Sequence, residues 1–455
     1  MAKFGGSLLD VEGKGIPKII KRIKALKKAD STGPIAVFSA PTGCTDALIR
    51  IGESHAQASS PASVDLVFDI YAHIAKLYVK GEYSVKAKAD LAHCKVLTEA
   101  ALRSVNKRFS GNVKAKVLAL GGEFATSILM DYVMRSSGLD SCSLKLQDWP
   151  VVTDDNFEDA TPNYELSKKR LDQFVVPLEQ GKVISMAGFM GVTADGLETI
   201  LGRGGSDLTA VFVSCLLKDN YETETLLYKD VPVQSADPKV VKGQKTEHVA
   251  ALTYNEAHKA SLMGMKIVQG PAIALARRFG QRLLVVPIDE PAMFSAIQAE
   301  TDDKTVVKCL TGKTGCAILS MHDEKSRSLE DSLRIWEKRN DFMDLGAETL
   351  ETGERIRDFL FLDSDFLKKN EEKLKGFDDV LKIDYGLGVV TLIGDKMKDS
   401  AGVASTAISA IQGINIKRGI FAPHTSQIII VVEDKNVKAT VAAIHLKMAE
   451  FNQPT

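Results

Sequence analysis

Several kinds of organisation are missing from this chain. No two of its six cysteines (Cys44, Cys94, Cys142, Cys215, Cys309, Cys316) form a C-x-x-C pair, and most lie in apolar runs. That argues against a disulfide framework or a zinc site. Neither sign of charge dominates: 58 basic residues face 59 acidic ones, for a formal net charge of -1. Nothing in that balance calls for nucleic acid or an anionic membrane as partner. The lysines from Lys18 to Lys28 cluster, but on one helix face, which reads as a solvated face. No run approaches 18 apolar residues, so no membrane span is expected. No apolar stretch follows Lys3 and Gly5-Gly6, so a signal peptide is not expected either and the cytoplasm is the expected location.

What is present is a soluble-type composition, 45% hydrophobic and 26% charged, over 455 residues. That length is too great for one core and predicts two or three domains. Met1 to Phe4 reads as a strand running into a glycine turn, Gly5-Gly6-Ser7. Ile16, Ile19, Ile20, Ile23 and Leu26 follow at helical spacing, with Pro17 near the start. Ile35 to Ser39 reads as a buried strand. Strand, turn, helix, strand is the rhythm of a parallel α/β sheet, whose ligands gather at the carboxyl ends of strands. A helical stretch is predicted over 62–105. Further strands are predicted at 116–120, 142–146, 183–187, 226–228 and 283–288, with Gly121-Gly122-Glu123 as a turn after the first of these. Leu208 to Leu217 is apolar nearly all round and predicts a buried helix.

The pattern changes at Glu300 to Lys304, a polar stretch expected to link domains. Beyond it, strands at 316–321 and 355–362 alternate with helices at 329–339 and 366–374. The order then recurs, with strands at 387–393, 414–416 and 427–432, a helix after Val403 and a last one carrying Val437, Val441, Ile444 and Met448. Two βαββα-like units suggest duplicated α+β modules.

One stretch concentrates chemistry: Gly202-Arg203-Gly204-Gly205-Ser206-Asp207, placed before the buried helix. Glycines admit close backbone approach, helix N-termini attract anions, and an arginine fork suits a carboxylate or phosphate. The plainer reading is a glycine turn with Ser206 or Asp207 as N-cap.

Taken with Lys3-Phe4-Gly5-Gly6-Ser7, Ser39-Ala-x-x-Gly-x-Thr45-Asp46, Gly122-Glu123, Gly188-Phe189-x-Gly191, Ala236-Asp237-Pro238, Tyr254-x-Glu256-Ala257 and Gly264-x-Lys266, this stretch resembles the aspartate kinases of the amino acid kinase family. The order of motifs is kept over about the first 270 residues, and Gly413-Ile414-Asn415-Ile416 marks a tail similar to tandem ACT modules. The resemblance implies an α/β amino acid kinase fold, a mostly parallel three-layer sandwich, over 1–300. Two ferredoxin-like ACT modules would follow, over 301–385 and 386–455. It implies phosphoryl transfer from ATP to the β-carboxylate of L-aspartate, at the head of lysine, threonine and methionine synthesis.

By the same resemblance, Lys3, Asp207 and Lys266 are the catalytic set, with Asp207 holding the lysines. Ser39, Thr45, Glu123, Phe189, Arg203, Gly204 and Ser206 bind the substrate, Glu123 its ammonium and Arg203 a carboxylate. Lys3, Gly5, Gly6, Ser7, Asp230, Asp237, Pro238, Lys239 and Lys266 serve the nucleotide, with Mg2+ riding on the ATP phosphates and no protein-only metal cage. Gly402 and Asn415 are the effector candidates, for lysine or threonine, and a homodimer or higher oligomer through the modules is implied. The chain departs from the family at Asp230-Val231-Pro232-Val233, at Lys239 in place of an arginine, and at Ile267-Val268-Gln269-Gly270, all on the nucleotide side. The competing readings are a glutamate, acetylglutamate or nucleotide kinase of the same superfamily, and a catalytically weak amino-acid-sensing subunit.

Overall fold

The computed structural model describes residues 1–29, 32–57, 61–335, 342–422 and 426–452. The chain divides into two compact units, Met1–Pro232 with Val268–Ala299, and Val233–Ile267 with Glu300–Thr455. The strands in chain order begin with β1 (Ala2–Phe4), β2 (Ile35–Phe38), β3 (Ser141–Ser143), β4 (Val183–Ala187), β5 (Met190–Val192), β6 (Glu198–Ile200) and β7 (Thr225–Lys229). They continue with β8 (Ala251–Thr253), in the second unit, and β9 (Leu283–Pro287) and β10 (Ser295–Gln298), back in the first.

In the first unit the main sheet runs β3-β4-β2-β1-β7-β9-β10. Its pairs are parallel up to β9, and β10 is antiparallel. All residues of β1, β2 and β4 are buried, so both faces of the sheet are covered, as a parallel sheet requires. Register fixes the central strand. Phe4 lies opposite both Phe38 and Tyr228 and stacks on each, with ring centroids 5.7 and 4.8 Å apart. Strand alternation therefore turns Lys3 to the other face. The helix Ile16–Ala29 buries Ile16, Ile19, Ile20 and Ile23, one stripe at helical spacing. Every residue of the helix Gly205–Leu217 is buried, as its apolar sequence predicts.

Some expectations fail. The stretch 62–105 is two helices, Asp65–Tyr78 and Glu82–Arg103, broken at Gly81. The strand expected at 116–120 is helical: Gly111–Leu118 passes into a six-residue π-helical turn, Ala119–Phe124, and on into Ala125–Ser136. A short apolar run has no periodicity by which to tell a buried strand from a buried helix. Gly121-Gly122-Glu123 is thus no turn between elements but the middle of one long helix. Gly111–Ser136 is also long and apolar enough to cross a membrane by composition, which the sequence reading did not expect. Of its most apolar window, 94% is buried within the protein, as in a core helix.

In the second unit, β11 (Cys309–His322), β12 (Phe342–Thr349), β13 (Arg355–Phe361), β14 (Lys382–Ile393), β15 (Arg418–Ala422) and β16 (Gln427–Glu433) form one antiparallel sheet in the order β12-β13-β11-β14-β16-β15. With the helices Asp323–Ile335, Ser364–Lys375, Val403–Ala410 and Val437–His445, this is βαββα twice, each module giving its strands in the same spatial order. The modules join through β11 and β14. Leu319, Leu329, Phe359 and Leu367 lie in the first module's core. Leu392, Val403, Ile430 and Val441 lie in the second's, where Ala236 and Val241 join them. The sequence reading groups 233–267 with the first 300 residues, and the structure groups it with the tail. The boundary read at 385 falls inside β14. The strand expected at Ile414–Ile416 is loop leading into β15, its two isoleucines packing on that core rather than pairing in a ladder.

Candidate active site

The carboxyl ends of β1, β2, β4 and β7 open on a cleft of about 700 Å³ in the first unit, a size that suits a small-molecule site. Lys3 reaches it from β1, Ser39 from the end of β2, Phe189 from the end of β4 and Lys229 from β7. Thr45, Glu123, Arg203, Gly204, Ser206 and Asp207 complete the set that sequence reasoning assigned to catalysis and substrate in this unit. All lie in one place although up to about two hundred residues separate them in the chain.

Local structure explains each position. The N-cap of the helix Gly205–Leu217 is Gly204, left-handed at φ 79°, and not Ser206 or Asp207 as the plainer sequence reading had it. A side chain at 204 would run into Gln269. Both polar side chains are thus released from capping and face the cleft. Phe189 is a bulky residue at φ 65°, a costly backbone state that clusters at functional sites. Its N–H donates to Thr209 Oγ1 at 3.0 Å, and its carbonyl accepts from Leu201 N–H at 2.8 Å, which holds the strained turn. Glu123 projects from the π-helical turn, where two carbonyls fall out of α-helical register. The buried Tyr71 hydroxyl lies 2.9 Å from Gly121 O and 3.0 Å from Gly122 O and can donate to either.

The charges lining the site are even in number, with Lys3, Lys114, Arg203 and Lys229 set against Asp46, Glu123, Glu158 and Asp207, but they are unevenly paired. Lys3 Nζ lies 2.7 Å from Asp207 Oδ1, both side chains being almost fully buried. Lys229 Nζ lies 3.4 Å from the same carboxylate's Oδ2. Burial pulls the Lys3 ammonium below its usual range, Asp207 opposes that, and Lys229 adds to it. Burial would push Asp207 up, but Lys3 and Lys229 together outweigh it and hold the carboxyl below its usual range. Glu123 is pushed up to about 7 by burial, against the N–H groups of Ala40 and its own backbone and the charge of Lys3. Its Oε2 is buried with no hydrogen-bond partner among the described residues. Arg203 is exposed and makes no ion pair among the described residues. Lys114 and Glu158 also line the cleft but neutralise each other at 2.6 Å.

Other assigned residues lie elsewhere. Gly5, Gly6 and Ser7 begin a short helix, Gly6–Leu9, directly after β1, where Gly6 packs on the Ala40 carbonyl. Asp230 follows β7. Asp237, Pro238, Lys239 and Lys266 belong to the second unit, as do Gly402, the left-handed N-cap of Val403–Ala410, and the exposed Asn415. Sequence reasoning missed Lys229. A lysine closing a parallel strand next to β1 was the available signal. Among the described residues one cluster could offer metal ligands, His322, Asp378 and Asp379 in the second unit. Lys325 already sits 2.9 and 3.1 Å from those two aspartates and offsets part of their charge.

A parallel α/β unit whose strand ends open on a cleft holding two lysines on one buried aspartate is suited to moving a phosphoryl group. The chain belongs to the amino acid kinase family, whose model matches residues 2–287. More particularly, it is 25% identical over 338 residues to an aspartokinase of Helicobacter pylori, covering 71% of this chain and 81% of that protein. It is 22% identical to lysine-sensitive aspartokinase 3 of Escherichia coli, covering 99% of each. The solved structure of Escherichia coli aspartokinase III with aspartate and ADP has the same fold, with a TM-score of 0.78 at 20% identity over 98% of both chains.

Proposed function

We propose that this chain is an ATP-dependent aspartate kinase, moving the γ-phosphoryl group of ATP to the β-carboxylate of L-aspartate. The observation that carries this reading is Glu123 Oε2, a buried carboxylate oxygen, in a cleft that also holds the Arg203 guanidinium, neither having a partner among the described residues. A small molecule bearing both an ammonium and a carboxylate answers both. Glu123 takes the ammonium and Arg203 grips the α-carboxylate with its fork. An arriving ammonium also favours the ionised form of Glu123, so binding and ionisation reinforce each other.

The β-carboxylate is already ionised and needs no general base. One of its oxygens bonds to the γ-phosphorus as the bond to the bridging oxygen breaks, and the electron pair leaves with ADP. Lys3, fixed by Asp207, neutralises charge on the transferring group. Both oxygens of Asp207 are engaged by lysines, and Mg2+ arriving with ATP would supply further neutralisation. Gly5, Gly6, Ser7, Asp230, Asp237, Pro238, Lys239 and Lys266 are assigned to the nucleotide on the strength of the motifs. The tail is assigned to regulation by lysine or threonine through Gly402 and Asn415, and to a homodimer or higher oligomer through the module sheet, whose outermost strands are β12 and β15.

The competing acceptor, acetylglutamate, has a neutral amide N–H in place of the ammonium and would bring Glu123 no opposite charge. Hydroxylamine-trapped acyl phosphate, measured with L-aspartate, L-glutamate and N-acetyl-L-glutamate in turn, tests the reading. L-Aspartate is expected to give most product, and a faster reaction with either of the others would overturn the assignment. Lysine and threonine added singly test regulation.

A further inference from the structure

We propose that Lys229 is a second catalytic cation, placed on the phosphate chain of the nucleotide and coupled to Lys3 through the shared carboxylate of Asp207. The inference rests on the ATP-dependent reading above. Its starting point is register. Phe4 pairs with Tyr228 across β1 and β7, so Lys229 emerges one residue further along, at the edge where the cleft opens.

Three observations separate Lys229 from a counter-ion that merely balances Asp207. First, Asp207 already has a partner. Lys3 sits on Oδ1 at 2.7 Å, and Lys229 is the longer contact, on Oδ2 at 3.4 Å. Lys229 therefore shares a carboxylate that Lys3 already holds more closely, and an arriving anion would give it a partner of its own. Second, the two lysines are exposed differently. The Lys3 side chain is 8% accessible and that of Lys229 is 28%, so Lys229 is the one that can meet an incoming group without moving.

Third, the sheet order sorts the cleft. In β4-β2-β1-β7, the residues assigned to the amino-acid substrate, Phe189 and Ser39, follow β4 and β2 on one side of Lys3. Lys229 stands on the opposite side. If Lys3 marks the transferring phosphoryl group, the acceptor lies toward β2 and β4 and the donor toward β7. Lys229 then meets the γ-phosphate and its bridge to the β-phosphate, where negative charge grows as the bond to phosphorus breaks.

The test uses the full chain with Lys229→Met and Lys229→Arg, and two calorimetric probes, the β,γ-imido analogue of ATP with Mg2+ and AMP. Lys229→Met is expected to weaken the analogue by roughly tenfold or more, as loss of one charge-assisted contact does, and to leave AMP within about twofold. Its kcat is expected to fall by about a hundredfold while KM for L-aspartate stays within about threefold. Lys229→Arg, which keeps the charge, should recover part of both. Unchanged affinity for the analogue, or equal weakening of analogue and AMP, would overturn the proposal. Should the parent bind the analogue yet form no acyl phosphate from L-aspartate, the acceptor assignment fails and the binding contrast still decides the role of Lys229.

Discussion

Each unit of the chain buries a lysine against a carboxylate, and the two pairs are built to opposite ends. In the second unit Lys308 Nζ lies 3.0 Å from Glu256 Oε2, with side-chain accessibilities of 2% and 0%. That Oε2 also accepts the Thr253 N–H at 2.9 Å, in a capping box, and Oε1 accepts the Asp395 N–H at 2.8 Å. Lys308 further donates to the Ala251 carbonyl at 3.1 Å. Asp303 Oδ2 lies 3.7 Å from the same ammonium, so the lysine is held from two sides and both Glu256 oxygens are partnered. In the first unit Lys3 and Lys229 share Asp207, and Glu123 Oε2 has no partner among the described residues. Burial and ion pairing are common to both regions and so do not mark a functional site. A buried carboxylate oxygen left unpartnered beside an open cleft does.

The contrast can be broken from either side. Lys3→Ala should lower kcat by roughly a hundred- to thousandfold, since it removes charge where the transition state needs it. Acyl-phosphate formation within about threefold of the parent would defeat the assignment. Lys308→Met should do the reverse. Stranding Glu256 in the interior costs about 3–5 kcal/mol and should lower the melting transition of the second unit by on the order of 10 °C. Turnover per folded molecule should change little. Arg203→Lys should raise KM for L-aspartate by roughly tenfold, and that for ATP much less, because lysine cannot reproduce a two-pronged grip. A change confined to ATP would move Arg203 to the nucleotide.

Smaller effects sharpen the picture at Glu123. Tyr71→Phe removes the hydroxyl from the π-helical turn at a cost of about 1 kcal/mol. It should raise KM for L-aspartate severalfold by loosening the turn that aims Glu123, a split from ATP visible in steady-state kinetics. The smallest effect is in pH dependence. Burial raises Glu123 to about 7 from 4.5, so between those values the native state holds a proton the unfolded chain has lost. Its contribution to stability is full below the unfolded value and disappears as pH rises through the folded one. The ligand-free chain should therefore lose more melting temperature between about pH 5 and about pH 8 than Glu123→Gln does. Parallel slopes would show that Glu123 does not titrate there.

The parts that were legible in the sequence are those where one residue type answers one local need. Ile16, Ile19, Ile20 and Ile23 mark a helix face, and Lys3, Arg203 and Asp207 could be placed in a common site from their motifs. What was hidden depends on partners distant in sequence. The apolar run at 116–120 fits a strand or a helix until its neighbours are known, so the π-helical turn beneath Glu123 was invisible. Lys229 looks like any strand-end lysine until Asp207 is found beside it. The segment 233–267 carries no composition signal tying it to the tail. Ala236 and Val241 nonetheless lie in that core, and the Ser235 hydroxyl is 3.0 Å from His445 Nε2. A cut at residue 300 would strip those contacts, so regulation is better tested on the full chain.

The most direct test of an unpartnered carboxylate as the mark of function is the rate of acyl-phosphate formation from L-aspartate beside that from succinate, which keeps both carboxylates and lacks the ammonium. A site that leaves Glu123 Oε2 unpartnered until an ammonium arrives should discriminate against succinate by roughly a thousandfold in kcat/KM, since the analogue leaves a buried carboxylate unpaired. Glu123→Gln should narrow that gap. Comparable kcat/KM for the two acids would contradict the claim.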